Sequence, residues 1–273
     1  MPLHPYQQEG VDWLLSNRRN KYLADDMGLG KTAQVIVAAR RLGFKRLLIV
    51  CPAAVKYNWA RELSLWGFSG KIHVVAGAKG VVPTDADAVI INYALFRYVA
   101  VRRNLFSYIE RHKYFDVGIA DEGHYLNNPQ SKRMQAVLGK NGAFLHCRYK
   151  WLMSGTPVTN RPIEAFGVVR SLAGDLLGEY SERRAYADRF CGRYFNTAKL
   201  EWDDRGATNL DELREILRPF MLRRTKQDVL SQLPDTLKQV IYLDGVDAPD
   251  DSMEELPTAR RELGLAKIDA IVQ

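Results

Sequence analysis

Cysteine is scarce in this sequence, and long apolar runs are missing. The three cysteines stand far apart and form no C-x-x-C pair, which argues against a disulfide framework and against a structural zinc site. No apolar stretch approaches the roughly 20 residues that a membrane-spanning helix needs, and the N-terminal segment lacks the basic start and apolar core of a signal peptide. We therefore expect no membrane partner and a reducing location, either cytoplasmic or nucleoid-associated, or nuclear if the source is eukaryotic.

Acidic residues are also few outside one segment. The formal net charge is +7, yet residues 241–257 hold six acidic residues and no Lys or Arg, so the remaining 256 residues carry +13. A basic body of this kind is typical of proteins with a polyanionic partner, and nucleic acid is the first candidate. Solvated helix faces explain the same excess, so composition by itself leaves both interpretations open.

Short apolar runs alternate with helical patterns across residues 1–160. Runs of strand length occupy residues 21–24, 46–51, 71–75, 87–92, 115–120 and 149–155, and helical spacing occupies residues 31–42 and 54–66. The runs are nearly all apolar, which is typical of strands that are buried on both faces of a parallel sheet. The predicted fold class is therefore α/β, with helices on both faces of a parallel sheet.

The pattern changes after residue 160. Residues 161–240 are predicted to be a mainly helical insertion that returns to the first domain, with Asn209 as the N-cap of one helix and strand character over residues 238–243. Residues 241–257 are acidic and contain proline, which is typical of an exposed linker. Residues 258–273 have a helical pattern.

A glycine-rich turn separates the first predicted strand from the helix that follows it. The turn matches the end of the pattern G-x-x-x-x-G-K-[ST], although Asp25 occupies the position of the first glycine. Its glycines would let backbone N–H groups converge on phosphate oxygens at the start of a helix. Lys31 would reach the β- and γ-phosphates, and the Thr32 hydroxyl would bind Mg²⁺. The predicted nucleotide-binding residues of the turn are Gly28, Leu29, Gly30, Lys31 and Thr32.

Two acidic residues, Asp121 and Glu122, directly follow the apolar run 115–120. Parallel-sheet folds bind ligands beyond the carboxyl ends of their strands, and in phosphate-loop enzymes a carboxylate at this place holds Mg²⁺. Asp121 fits that role, and Glu122 would orient and deprotonate the attacking water. An acidic turn is common by itself, but together with the phosphate loop it predicts a hydrolase that uses ATP and Mg²⁺. The predicted catalytic residues are Lys31, Asp121 and Glu122, and the predicted Mg²⁺ ligands are Thr32 and Asp121.

The sequence resembles helicase superfamily two and, within it, the Swi/Snf-type DNA translocases. Segments similar to the Q motif and to motifs I, Ia, Ib, II and III lie, in that order, at residues 3–14, 23–32, 47–62, 89–96, 121–128 and 152–164. Residues 220–234 resemble a stretch that is distinctive of the Swi/Snf group, and residues 260–268 resemble the entry to the second lobe of the annealing-helicase branch. The sequence departs from the family at Asp26, Ala54 and Asn127, where Glu, Ser and Lys are commoner.

The resemblance implies a fold and a set of roles. It implies that residues 1–160 form a RecA-like ATP-binding lobe, that residues 258–273 begin a second lobe, and that Gln7 recognises adenine. The residues that would couple nucleotide state to DNA contacts are His124, Ser154, Gly155 and Thr156. The residues that would lie near the backbone of duplex or forked DNA, without reading its sequence, are Ala53, Lys56, Asn92 and Tyr93.

Some of these side chains have a plainer interpretation. The aromatic residues Trp59, Trp66 and Tyr93 are more typical of the core or of helix packing than of DNA stacking, and Lys56 is compatible with an ordinary solvated lysine. Arg223 and Arg224 would either contact DNA or hold the helical insertion together.

The family resemblance also implies a partner. Such motors work with two RecA-like lobes, and the second lobe supplies arginines that stabilise charge on the transferred phosphoryl group. The later motifs do not occur before Gln273, so we expect the 273 residues by themselves to bind ATP–Mg²⁺ weakly and to hydrolyse it slowly, with little stimulation by DNA. Two alternatives remain: a nucleic-acid-binding or regulatory module without turnover, and another phosphate-loop ATPase such as a kinase or a transporter subunit.

Overall fold

The computed structural model describes residues 2–157 and 161–232. The helices of these residues are α1 (Pro5–Leu15), α2 (Lys31–Arg41), α3 (Lys56–Leu65), α4 (Val99–His112), α5 (Lys132–Val137), α6 (Pro162–Leu177), α7 (Arg183–Phe190) and α8 (Leu210–Leu217). The strands are β1 (Asn20–Leu23), β2 (Leu47–Cys51), β3 (Ile72–Val74), β4 (Ala88–Asn92), β5 (Phe115–Asp121), β6 (Cys147–Met153), β7 (Tyr194–Asn196), β8 (Glu201–Asp203) and β9 (Met221–Leu222). The six predicted strands before residue 160 and the two predicted helices are all present, with ends displaced by a few residues.

Seven of the strands form one sheet in the order β3-β4-β2-β5-β6-β1-β9, and every pair of neighbours is parallel. Met153 at the end of β6 lies opposite Leu23 of β1 on one side and Asp121 of β5 on the other. The loops that follow β1, β5 and β6 therefore leave the sheet side by side at its carboxyl edge. This arrangement brings segments about 30 to 130 residues apart in the chain to one place.

Alternate residues along each central strand face opposite sides of the sheet. In β2, Leu47 and Ile49 pack in a core with α1, α2 and α3, whereas Leu48 and Val50 pack in a core with α4, α5 and α6. All four side chains are buried, and burying one such side chain contributes roughly 1.5–3 kcal/mol. The prediction of a parallel sheet with helices on both faces is confirmed.

The segment after α6 contains a hairpin that the sequence pattern did not predict. Strands β7 and β8 are three residues each, too short to show an alternating pattern, and they pair in antiparallel fashion. The Asn196 side chain sets the turn, because its Oδ1 accepts hydrogen bonds from the backbone N–H groups of Ala198 and Lys199, each at 3.1 Å. After α8 the chain returns to the sheet, where β9 pairs with β1.

Asn209 is the N-cap residue of α8, as predicted, but its side chain does not cap the helix. Its Nδ2 donates instead to the carbonyl oxygen of Arg189 at 2.7 Å, which ties the start of α8 to the end of α7. The strand character of residues 238–243, the acidic segment 241–257 and the stretch 258–273 lie outside the described residues. None of the described helices combines the length and the apolar character needed to cross a membrane.

Candidate active site

The glycine-rich turn joins β1 to α2 at the carboxyl edge of the sheet. Gly28 and Gly30 have φ angles of +87° and +69°, in the left-handed region that glycine adopts without strain. Gly30 is the N-cap of α2, so the positive end of the helix dipole points toward the turn. Leu29 between them is buried, and it anchors the turn to the core. The turn thus has the backbone form of an anion-binding loop.

Lys31 is the first residue of α2, and its ammonium group folds back to the start of the turn. Its Nζ donates to the carbonyl oxygens of Asp25 and Asp26 at 2.7 and 3.0 Å. Burial lowers the pKa of Lys31, and the carboxylates of Asp25, Glu122, Asp121 and Asp26 oppose that effect. The lysine and the acidic pair therefore share one electrostatic environment.

Asp121 is the last residue of β5, and three groups fix it. Its Oδ2 accepts a hydrogen bond from the Trp59 indole N–H at 2.9 Å, and its Oδ1 accepts from the backbone N–H of Glu122 at 2.9 Å. The Tyr93 hydroxyl donates to its carbonyl oxygen at 2.7 Å. Burial raises the pKa of Asp121, and the neighbouring Glu122 charge adds to this, whereas the Trp59 bond and Lys31 oppose it. The carboxylate is thus held in one orientation while its negative charge lacks full compensation, which suits a metal ligand.

Glu122, His124 and Ser154 form a hydrogen-bonded cluster beside Asp121. Glu122 has a φ of +51°, which is strained for a residue with a side chain. Its Oε2 lies 3.1 Å from His124 Nδ1 and accepts from the Ser154 hydroxyl at 3.3 Å. The Thr156 backbone N–H donates to Ser154 Oγ at 3.1 Å. The fold thus places two predicted coupling residues, His124 and Ser154, in contact with Glu122, the predicted general base.

Gly155 places the loop after β6 directly against the phosphate loop. A Cβ at Gly155 would lie 2.7 Å from the Met27 side chain and 3.2 Å from its backbone nitrogen. A larger residue at this position would therefore require Met27 and its backbone to shift away from the loop after β6.

Gln7 lies at the start of α1, next to the phosphate loop. Its Oε1 accepts from the backbone N–H of His4 at 3.0 Å, and its Nε2 donates to the Leu29 carbonyl oxygen at 3.4 Å. A Cβ at Gly30 would come within 2.3 Å of the same Nε2. The residue predicted to read adenine is therefore in contact with the loop predicted to hold the phosphates.

The residues of this site fit a magnesium–nucleoside triphosphate. The turn offers left-handed glycines at a helix N-terminus, and Lys31 offers a cation. The half-buried Thr32 hydroxyl has no hydrogen-bond partner in residues 2–157 and 161–232, and it belongs with Asp121 to the set of hard oxygen ligands that Mg²⁺ prefers. Thr32 and Asp121 would hold the metal.

The four residues predicted to bind DNA occupy different environments. Ala53 is exposed, but Lys56 is only 8% exposed and its Nζ donates to the Val75 carbonyl oxygen at 2.8 Å. Asn92 is buried, with its Oδ1 accepting from the backbone N–H of Leu95 at 3.0 Å, and Tyr93 is buried with its hydroxyl on Asp121. DNA contact by these residues remains a prediction. Lys56 is not the solvated lysine of the plainer interpretation, and Trp59 is the core residue that was expected.

Arg223 and Arg224 bind the phosphate loop. Arg223 donates to the carbonyl oxygens of Ala24 and Gly155 at 3.1 and 3.2 Å, and its Nη2 lies 3.3 Å from a carboxylate oxygen of Asp26. Arg224 forms a two-pronged ion pair with Asp25, with distances of 2.5 and 3.1 Å. Sequence reasoning missed this role, although the acidic residue in place of the first loop glycine was its signal.

The sequence of this chain is similar to those of several known proteins. A family model described as the SNF2-related domain matches residues 6–248. The human DNA annealing helicase and endonuclease ZRANB3 is 32% identical over 270 residues, which are 95% of this chain and 24% of the human protein. The Caenorhabditis elegans homolog of the SWI/SNF-related matrix-associated actin-dependent regulator of chromatin subfamily A-like protein 1 is 32% identical over 271 residues, 95% of this chain and 36% of that protein.

A solved structure has the same fold. The Sulfolobus solfataricus SWI2/SNF2 ATPase core in complex with dsDNA matches with a TM-score of 0.66 and 26% identity, over 86% of this chain and 47% of that chain. The chain thus spans about a quarter to a third of the length of these two curated relatives, and about half of the solved core.

Proposed function

We propose that this chain, which belongs to the SNF2-related domain family, is the ATP-binding lobe of a DNA-dependent ATPase. The membership confirms the Swi/Snf resemblance, and the match with the solved core confirms the RecA-like fold. In the proposed reaction, ATP hydrolysis drives movement on DNA or remodelling of DNA. One observation carries the proposal: Lys31, Asp121 and Glu122 lie together at the carboxyl edge of the sheet, where the three carry the charges that phosphoryl transfer needs.

Each residue has a defined task in this proposal. Lys31 would exchange the carbonyl oxygens of the loop for the β- and γ-phosphates. Thr32 and Asp121 would hold Mg²⁺, which would supply positive charge to those phosphates. Glu122 orients the attacking water and accepts its proton, and its carboxylate is held for this task by Ser154 and His124. The Thr156 backbone N–H donates to the Ser154 hydroxyl, which donates to Glu122. A shift of the loop after β6 would therefore be passed to Glu122 through Ser154.

The proposed partners are DNA and a second RecA-like lobe. The net charge of +7 supports a polyanionic partner, and the solved relative is a complex with dsDNA. We propose binding to the backbone of duplex or forked DNA without sequence readout. The second lobe is proposed because the chain matches only 47% of the solved core.

The nucleotide site is tested with Lys31→Ala, measured by calorimetry with ATP and Mg²⁺. Because the substitution removes the cation that meets the phosphates and leaves the buried Leu29 in place, ATP affinity should fall at least about 10-fold with little change in melting temperature. Lys45→Ala, at an exposed lysine outside the site, is the control and should leave the affinity unchanged. Equal ATP affinity in Lys31→Ala and the wild type would show that the loop does not hold phosphates.

Dependence on DNA is a separate test. Steady-state ATP turnover is measured with and without duplex DNA, for residues 1–273 and for the same residues joined to a second lobe. We expect slow turnover from residues 1–273 and DNA-stimulated turnover from the two-lobe protein. Salt-sensitive DNA binding that is indifferent to ATP, without turnover in either protein, would favour a nucleic-acid-binding module instead.

A further inference from the structure

Arg224 is the second residue after β9, and its guanidinium group lies between α1 and the phosphate loop. Four of its five N–H donors are engaged: two with Asp25, one with Gln34 Oε1 at 2.9 Å, and one with the Tyr6 carbonyl oxygen. The Arg224 side chain is largely buried, and Asp25 is fully buried. With four donors occupied inside the lobe and its side chain only 12% exposed, Arg224 has little capacity left to bind a DNA phosphate.

One side of this guanidinium holds the N-terminal turn of α1. The Tyr6 carbonyl belongs to the peptide group that joins Tyr6 to Gln7, and the Tyr6 ring lies 5.5 Å from the guanidinium carbon. Arg224 therefore fixes the backbone that carries Gln7.

The other side holds the phosphate loop. Asp25 opens the loop, and its Oδ1 also accepts a hydrogen bond from the backbone N–H of Arg224 at 3.1 Å. Gln34 carries the contact further, because its Nε2 donates to the Leu29 carbonyl oxygen at 3.1 Å. Gln7 donates to that same carbonyl oxygen. Two connections therefore link the first turn of α1 to the phosphate loop: one through Arg224, and one at the Leu29 carbonyl oxygen.

The close approach of α1 depends on Gly10. A Cβ at this position would lie 1.8 Å from Gln34 Oε1 and 2.7 Å from Arg224 Nη2. A side chain at position 10 would therefore displace Gln34 and Arg224 away from α1.

We propose that Arg224 is a positioning residue that sets the preference of the site for adenine, by fixing the first turn of α1 at one distance from the phosphate loop. This inference rests on the proposed nucleotide-binding function. A base is selected only when its reader and the phosphate anchor are held in register, because a mobile reader adapts to the wrong base. Loosening α1 should therefore weaken ATP more than GTP, since both nucleotides use the same phosphate loop.

The experiment measures the ratio of ATP affinity to GTP affinity by calorimetry in Mg²⁺, in the wild type and three variants. Arg224→Lys keeps the charge beside Asp25 but cannot reach Tyr6, Asp25 and Gln34 together. Gly10→Ala displaces the network from the opposite side. Arg223→Lys is the matched control, because Arg223 holds the loop and makes no contact with α1 among the described residues. Melting temperatures show that each variant is folded.

We expect the ATP-to-GTP ratio to fall about fivefold in Arg224→Lys and in Gly10→Ala, and to stay within twofold of the wild type in Arg223→Lys. A merely structural Arg224 would weaken ATP and GTP equally, and an unchanged ratio in both folded test variants would overturn the inference while leaving the proposed function in place. Failure of the wild type to bind ATP would overturn the proposed function and this inference together.

Discussion

At the carboxyl edge of the sheet, charged side chains are buried and paired, whereas on the β7–β8 hairpin apolar side chains are exposed. Asp25 is fully buried against Arg224 at the first place. At the second, Trp202 is 53% exposed and Leu200 is 78% exposed, and the pair of Arg183 with Asp204 has a 59% exposed arginine. Loss of a charged partner at the site should therefore cost more stability than loss of an apolar side chain at the tip of the hairpin.

The largest expected effect is the loss of stability when the buried ion pair of Arg224 and Asp25 is broken, compared with the exposed pair of Arg183 and Asp204. Arg224→Ala leaves the buried Asp25 carboxylate without its partner, so we expect a loss of about 3–5 kcal/mol in the free energy of unfolding. Arg183→Ala removes an ion pair to Asp204 of the same chemistry at the base of the hairpin, but Arg183 is exposed, and the loss should stay below about 1 kcal/mol. Urea denaturation measures both values.

Similar losses in the free energy of unfolding for Arg224→Ala and Arg183→Ala would contradict the contrast between the two regions. Asp25→Asn in the Arg224→Ala background serves as a second check, since it removes the unpaired buried charge. It should recover part of the stability if the cost comes from burial of that charge.

The next effect comes from a second buried charge, at the other end of β1. Lys21 is 2% exposed, and its Nζ donates to Ser16 Oγ at 2.6 Å, beside the Trp13 ring. Burial lowers the pKa of Lys21 from 10.5 to about 8. Between these values the folded state binds fewer protons than the unfolded state, so the free energy of unfolding should rise with pH, by up to about 3 kcal/mol.

The test of this effect is the free energy of unfolding measured at intervals from pH 7 to pH 10.5. In Lys21→Met the rise above pH 8 should become smaller by the part that Lys21 contributes. Lys150→Met, on the neighbouring strand opposite Asn20, is the control and should keep it. A rise of the same size in Lys21→Met would assign the pH dependence to other groups.

The predictable and unpredictable parts of the molecule differ in the range of the interactions that make them. Strand β2 and the phosphate loop follow from residues that are neighbours in the chain, and their sequence patterns predicted them. The pair formed by Asp25 and Arg224 joins residues 199 positions apart, and the acidic residue in the loop does not by itself show which arginine will pair with it. The same holds for Trp59 and Asp121, 62 positions apart. Lys56 is a further example, because a lysine in a helix pattern gives no sign that it will be buried with its ammonium group on the carbonyl oxygen of Val75.

The smallest expected effect is on the hairpin and has the opposite sign. Leu200 has a φ of +53°, a left-handed conformation that costs a leucine roughly 1–2 kcal/mol and costs glycine nothing. Because the side chain is 78% exposed, its removal loses little burial. Leu200→Gly should therefore raise the free energy of unfolding by about 1 kcal/mol, less the greater backbone entropy of glycine in the unfolded chain.

The control for this prediction is Leu145→Gly. Leu145 is also exposed, but it lies in the short helical turn Ala143–His146 and has no positive φ, so glycine there should destabilise by about 0.5–1 kcal/mol. Opposite signs for the two variants would show that the hairpin holds its apolar tip at a cost in stability, in contrast to the site, where the buried Asp25 is paired with Arg224. A loss of stability in Leu200→Gly equal to that in Leu145→Gly would mean that the Leu200 side chain stabilises the hairpin, and the contrast between the two regions would then apply only to the charged groups.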